Sequence, residues 1–168
     1  MCNISIHESG HILLTNKYGI RVLSAHAGKD RREVISETRQ DLSLRDQIST
    51  LVAGAVAEQL TVDNRGTHLW AGCGGDTKII LSLLGEPPEK ECSYSVVWIN
   101  SILHKSIPSI LKIPAAHITL LAEAVENARQ YIQEHLETLH RLAEALQTHD
   151  LCQEEIENII AWRLTCSI

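Results

Sequence analysis

The sequence predicts a mainly helical domain with a small two-stranded β insertion near its N-terminus. Apolar residues recur at steps of three and four over most of the chain, the spacing of one helical face. Leu, Ile and Val supply 48 of the 168 residues, whereas Phe is absent and aromatics reach only 4%. From Ile20 to Arg39 the texture changes to short β-branched pieces. With 44% apolar and 21% charged residues the composition is globular, and the length suits one core over residues 1–168.

Between Asn3 and Tyr18, residues Ile4, His7, His11 and Leu14 share a helical face, and Gly19 supplies the stop. Ile20-Arg21-Val22-Leu23 and Glu33-Val34-Ile35-Ser36-Glu37-Thr38 read as two short strands around the turn-like Ala27-Gly28-Lys29-Asp30. Ser43-Leu44-Arg45-Asp46 is an N-cap signal for a helix that buries Ile48, Leu51, Val52, Ala55, Val56 and Leu60. Its small residues Ala53, Gly54, Ala55 and Ala57 allow another backbone to approach closely. Asp63-Asn64-Arg65-Gly66 and Ala71-Gly72-Cys73-Gly74-Gly75 mark a long loop. A helix resumes from Asp76 to Leu84 until Gly85-Glu86-Pro87-Pro88 breaks it.

Ser93 to Leu111 is apolar and is expected to be helical up to Pro108. From Ala115 to Gln147, Leu121, Val125, Ala128, Ile132, Leu136, Leu139, Ala143 and Leu146 predict one long amphipathic helix. Asp150-Leu151-Cys152-Gln153 then offers a cap for a last helix that buries Ile156, Ile159, Ile160 and Leu164.

The charge balance, 15 Lys+Arg against 21 Asp+Glu for a net −6, and the lack of any basic run argue against nucleic-acid binding. No apolar run approaches the roughly 20 residues of a membrane-spanning helix. The N-terminus lacks the basic flank and apolar stretch of a secretory signal, so a cytoplasmic location is expected. Five widely spaced cysteines, Cys2, Cys73, Cys92, Cys152 and Cys166, with no C-x-x-C, fit reduced thiols better than a disulfide framework.

The sharpest chemical feature is His7-Glu8-Ser9-Gly10-His11, a match to H-E-x-x-H. Residues four apart on a helix share a face with Cβ atoms about 5–6 Å apart, so two imidazoles can reach one zinc ion. Glu8, beside the metal without ligating it, is placed to take a proton from water attacking a peptide carbonyl. The bland alternative is a capping box over Ser5-Ile6-His7-Glu8, with Glu8 reaching back to the Ser5 backbone. Two His need a third protein ligand. Glu33 and Glu37 fall at a suitable separation but in strand-like sequence. Asp76 fits better, after a glycine-rich run and at a helix start where the dipole favours an anion, although a plain N-cap has the same appearance. Glu58 is the next choice, as ligand or as partner of a ligand His.

Together these segments resemble the peptidase domain of the FtsH family of membrane-anchored AAA+ zinc proteases. His7-Glu8-Ser9-Gly10-His11 is similar to that family's H-E-A-G-H, with Ser9 for the usual Ala. Leu51-Val52-Ala53-Gly54-Ala55-Val56-Ala57-Glu58 is similar to its L-x-G-G-x-x-A-E helix, with Ala53 at the first paired glycine. Gly72-Cys73-Gly74-Gly75-Asp76 stands where the family has T-G-A-x-N-D, and Ala122 to Ile160 resembles its closing helices. The resemblance implies a zincin-like fold, zinc held by His7, His11 and Asp76, and Glu8 as catalytic base of a metalloendopeptidase.

The departures shape the remaining expectations. Met1 lies six residues before His7, so neither the family's ATPase module nor its membrane segment is expected, and residues 87–112 do not follow the family's sequence. Substrates are then short peptides, flexible tails or unfolded chains delivered by a separate ATPase, and the family's hexameric ring makes a homo-oligomer possible. The strand at Glu33 to Thr38 offers an edge for pairing with an extended substrate. Two other readings stay open: a catalytically inactive adaptor or assembly module, and a zinc hydrolase of a non-peptide amide. Retention of all four expected side chains favours the peptidase.

Overall fold

A computed structural model of the protein describes residues 3–61, 74–87 and 114–165. Within them the chain is mainly helical, with a small antiparallel sheet. The order is α1 (Asn3–Lys17), β1 (Val22–Ala27), β2 (Arg32–Ser36), α2 (Leu44–Thr61), α3 (Gly74–Leu83), α4 (Ala115–Glu134), α5 (Leu136–Thr148), β3 (Leu151–Cys152) and α6 (Gln153–Thr165). No helix among the described residues is long and apolar enough to cross a membrane. The expected loop lies outside the described residues up to residue 73, and its last two residues, Gly74 and Gly75, already belong to α3; the expected helix within 93–111 also lies outside them, as do His68, His104 and every cysteine except the free, exposed Cys152.

Local sequence explains most helix ends. Gly19 takes φ 67°, which lets the Gly19 and Ile20 N–H groups donate to the Asn16 and Thr15 carbonyls at 2.9 and 3.2 Å. This is a Schellman stop that residues with a Cβ adopt reluctantly. Gly85, at φ 66°, ends α3 in the same way. At the start of α2 the Asp46 N–H donates to Ser43 Oγ at 3.1 Å and the Ser43 hydroxyl donates to Asp46 Oδ2 at 2.7 Å, as the capping signal predicted.

The core is aliphatic. Ile12, Leu13 and Leu14 of α1, Ile48 and Val52 of α2, Ile80 and Leu81 of α3, Leu121 and Ile132 of α4, and Leu139 and Leu142 of α5 join one buried cluster. α2 packs extensively on both α1 and α4. A polar junction fastens those three: Asn127 of α4 accepts from Lys17 Nζ at 2.5 Å and donates to Tyr18 OH at 2.5 Å and Ser49 Oγ at 3.0 Å.

Three expectations are corrected. Among the described residues the sheet has three strands in the order β2-β1-β3, because Leu151 and Cys152 pair with Ala25 and Ser24. β3 has only two residues and no alternating pattern, and buried Leu151 holds it in place. The cap of the last helix shifts accordingly: the Cys152 N–H donates to Glu155 Oε2 at 3.0 Å, while Asp150 Oδ2 instead lies 2.9 Å from His26 Nδ1.

The predicted long C-terminal helix is two helices broken at His135, whose φ −122° and ψ 24° leave the helical region. There the ring Nδ1–H donates to the Tyr131 carbonyl at 2.8 Å, and the imidazole stacks on the Tyr131 ring at 4.0 Å. A side chain that bonds its own backbone competes with the helical ladder. The apolar period runs through the break undisturbed, so the pattern could not reveal it.

Candidate metal centre

The site forms where α1 crosses α2 and where α3 begins. His7 and His11 are one turn apart on α1, with rings 4.7 Å apart at 72°. Facing them on α2 are Thr50, Gly54 and Glu58, also at steps of four. His7 lies against Gly54 and Glu58 and His11 against Thr50, so the two helices run antiparallel at this contact. A Cβ on Gly54 would stand 2.5–2.6 Å from three atoms of the His7 ring, and one on Gly10 would collide with the Ala53 carbonyl oxygen and meet the Ala57 Cβ at 2.8 Å. The helices therefore approach through bare backbone at both positions, and the small-residue segment of α2 is the seat of the first histidine.

The hydrogen bonds fix the direction of each imidazole. His7 Nδ1–H donates to Glu58 Oε1 at 2.8 Å, and His11 Nδ1–H donates to the Thr50 carbonyl at 2.7 Å. Both partners only accept, so each neutral ring carries its proton on Nδ1 and turns an Nε2 lone pair inward. The two Nε2 atoms are 3.0 Å apart. Asp76, the third residue of α3, places Oδ2 3.4 Å from His7 Nε2 and 3.5 Å from His11 Nε2.

Three acceptors thus face one another in a partly buried space, an arrangement that repels itself unless a cation or proton lies between them. Ligands about 2.0–2.2 Å from a tetrahedral zinc ion sit about 3.3–3.6 Å from each other, which matches the two edges to Asp76 at 3.4 and 3.5 Å, while the edge between the imidazoles, 3.0 Å, is shorter. His7, His11 and Asp76 are also the one group of three or more His, Cys, Asp or Glu among the described residues whose ligand atoms converge closely enough for a metal ion. The donor set of two imidazoles and one carboxylate with an open side suits Zn²⁺.

The electrostatics agree with that crowding. Burial alone would lower the His7 pKa, but hydrogen bonding to Asp76 and Glu58 and the charge of Glu8 outweigh it, and the imidazole is raised to about 9. Burial would raise Asp76, yet His11 and His7 hold it far below the usual carboxylate range. Glu8 is shifted upward by burial, against the opposing pull of His11 and His7.

His7, His11 and Asp76 come together. Glu8 borders the same cleft of about 360 Å³, which is also lined by Thr15, Thr50 and Leu51 and by Arg32, Val34 and Ser36 of β2. Glu58 lies behind His7 on Nδ1, away from the inward-facing Nε2. Glu33 lines the cleft but is paired with Arg31, and Glu37 is paired with Arg21 at the surface. Ser5 lies inside α1, which already runs from Asn3, and its carbonyl accepts the Ser9 hydroxyl at 2.7 Å, so Ser5 is not the cap of a box closed by Glu8.

Sequence reasoning missed the Thr50 carbonyl and the contact between Gly54 and His7. The four-residue step Thr50-Gly54-Glu58 was visible beside the same step in His7-His11, but the antiparallel crossing that matches them was not. No protein-family model matches the chain, and no curated protein matches it.

Proposed function

We propose that this protein is a zinc-dependent metallopeptidase that hydrolyses peptide bonds with a water molecule, with a catalytic domain of the FtsH kind. The observation that carries the reading is the convergence of His7 Nε2, His11 Nε2 and Asp76 Oδ2 within 3.0–3.5 Å at the wall of a cleft that Glu8 also borders. Zinc held by those three side chains would polarise the scissile carbonyl and make water a stronger nucleophile. Glu8 takes one proton from the attacking water and passes it to the departing nitrogen, the second proton of that water follows to the same nitrogen, and the products are a carboxylate and an ammonium. Its upward shift brings its basicity closer to neutral pH, which suits that role. Glu58 and the Thr50 carbonyl hold both imidazoles in the tautomer that presents Nε2.

Substrate placement follows from the sheet. Among the described residues β2 is an edge strand and lines the cleft, so an extended peptide can add to that edge beside the metal ligands. Short peptides and unstructured segments fit such a groove without prior unfolding, and a separate ATPase would extend its reach to folded chains.

The test is zinc content and cleavage of a peptide library, measured side by side for wild type, Glu8→Gln and Asp76→Ala. Wild type should hold one zinc and cleave, Glu8→Gln should hold zinc and lose at least 10²-fold in rate, and Asp76→Ala should lose the metal. A wild-type protein without stoichiometric metal overturns the site. A zinc-loaded protein that cleaves no peptide overturns the substrate class and favours the adaptor or the non-peptide amidase.

A further inference from the structure

We propose that Arg32 is a carboxylate-binding residue of the cleft, so that the peptides this site prefers present a carboxylate, from a chain end or an acidic side chain, close to the bond that is cut. The inference rests on the hydrolytic reading above and adds a substrate class to it. It starts from the alternation of β2. Side chains two apart on a strand share a face, which puts Arg32, Val34 and Ser36 in one row. Val34 of that row packs on the core, and all three line the cleft that holds His7, Glu8, His11 and Asp76.

The charges around the cleft are unevenly committed. Glu33 is neutralised by Arg31, one residue before β2, and Asp76 faces two imidazoles. Arg32 is the one Lys or Arg among the described lining residues. It is exposed, and its hydrogen bond is from Nε to the Gly28 carbonyl at 3.4 Å, with no carboxylate partner among the described residues. A guanidinium keeps its charge at every working pH and offers a planar fork that fits a carboxylate with two parallel N–H donors. Held on a strand whose register is fixed by pairing with β1, that fork stands at a set place along any peptide lying on the same edge. The other charged groups of the lining, Glu8, Glu33 and Asp76, are acidic, so Arg32 is the residue of the cleft that can pair with a substrate carboxylate.

The probes are labelled peptides of one neutral sequence, in two pairs. One pair has a free or an amidated C-terminus; the other is amidated and carries a single Glu or Gln at matched positions. Binding is read by fluorescence anisotropy on zinc-loaded Glu8→Gln protein, so that turnover does not intervene. In at least one pair the carboxylate member should bind about tenfold more tightly, and the responding pair identifies the source of the carboxylate. The ratio should fall to about one with Arg32→Gln, invert with Arg32→Glu and largely survive Arg32→Lys. A ratio near one in both pairs, a ratio that persists in Arg32→Gln, or no measurable binding of any peptide overturns the proposal. Because the readout is binding, a carboxylate preference in a protein that cleaves no peptide would overturn hydrolysis and leave this site standing, while cleavage without the preference would do the reverse.

Discussion

His7 Nδ1 and Glu58 Oε1 are 2.8 Å apart, a buried link from the first helix to the second that spans 51 residues of sequence. Through it a carboxylate on α2 sets both the tautomer and the rotation of the imidazole whose other nitrogen faces His11 and Asp76. Partners of this kind change metal affinity by about 10–100-fold when altered. Glu58→Gln, which keeps the shape and removes the charge, should lie at the lower end of that range. Glu58→Ala should lie at the upper end and also cost about 1–3 kcal/mol, since it leaves the Nδ1–H buried without an acceptor. Chelator competition for zinc and thermal melts of the metal-free protein measure the two effects separately, and an unchanged affinity in Glu58→Ala would remove Glu58 from the site.

Gly54 decides whether His7 has a place to sit. An alanine in a helix interior normally gains about 1 kcal/mol over glycine, so propensity alone predicts that Gly54→Ala is stabilising. Its Cβ would stand 2.5–2.6 Å from the His7 ring, and overpacking of that order costs about 1–3 kcal/mol. The clash should win, giving a folded but less stable protein that binds zinc poorly. Gly10→Ala should be worse for folding, because it pushes against the Ala53 backbone, which cannot swing aside. Urea denaturation with and without zinc distinguishes the two: zinc should stabilise Gly54→Ala much less than wild type.

The fold and the site were legible to different depths, for physical reasons. The helices, the Gly19 and Gly85 stops and the Ser43 cap follow from contacts within a few residues, and sequence carries those directly. The pair His7 and His11 with Glu8 between them is local for the same reason. β3 was invisible because Leu151 and Cys152 are a strand only by virtue of β1 beside them. The break at His135 was invisible because the apolar stripe continues across it, from Ile132 to Leu139. Nothing local in the sequence sets Arg32 apart from Arg31 beside it, since its distinction lies in what its neighbours pair with.

Asn127 should be the most sensitive exposed-to-core polar position outside the site. Its amide serves Lys17 of α1, Tyr18 just after that helix and Ser49 of α2 at once, so Asn127→Ala removes a partner from three groups. At about 1 kcal/mol for each hydrogen bond lost, a total near 2–3 kcal/mol is expected, or a melting temperature lower by roughly 4–12 °C for a chain of this size. Zinc affinity should be nearly unaffected, because the junction touches neither the ligands nor their partners. A shift below 1 °C would mean that the network adds nothing.

Protons and metal should compete for the same gap. In the metal-free protein His7 titrates near 9 against about 6.5 for an ordinary histidine, so the charged ring stabilises the fold fully below pH 6.5. That contribution is lost as pH rises through 9, and the shift corresponds to about 3 kcal/mol at most. Asp76 acts in the opposite direction: its contribution is present above the usual carboxylate pKa near 3.8 and disappears as pH falls through its depressed value. Metal-free protein should therefore lose stability between pH 6.5 and 9. Zinc must displace the His7 proton, so its affinity should rise with pH toward 9 and then level off. Titration calorimetry in buffers of different ionisation enthalpy should count close to one proton released per zinc at pH 7.5 and almost none above pH 9.5. A pH-independent zinc affinity between 7 and 9 would show that His7 is not protonated in the empty site.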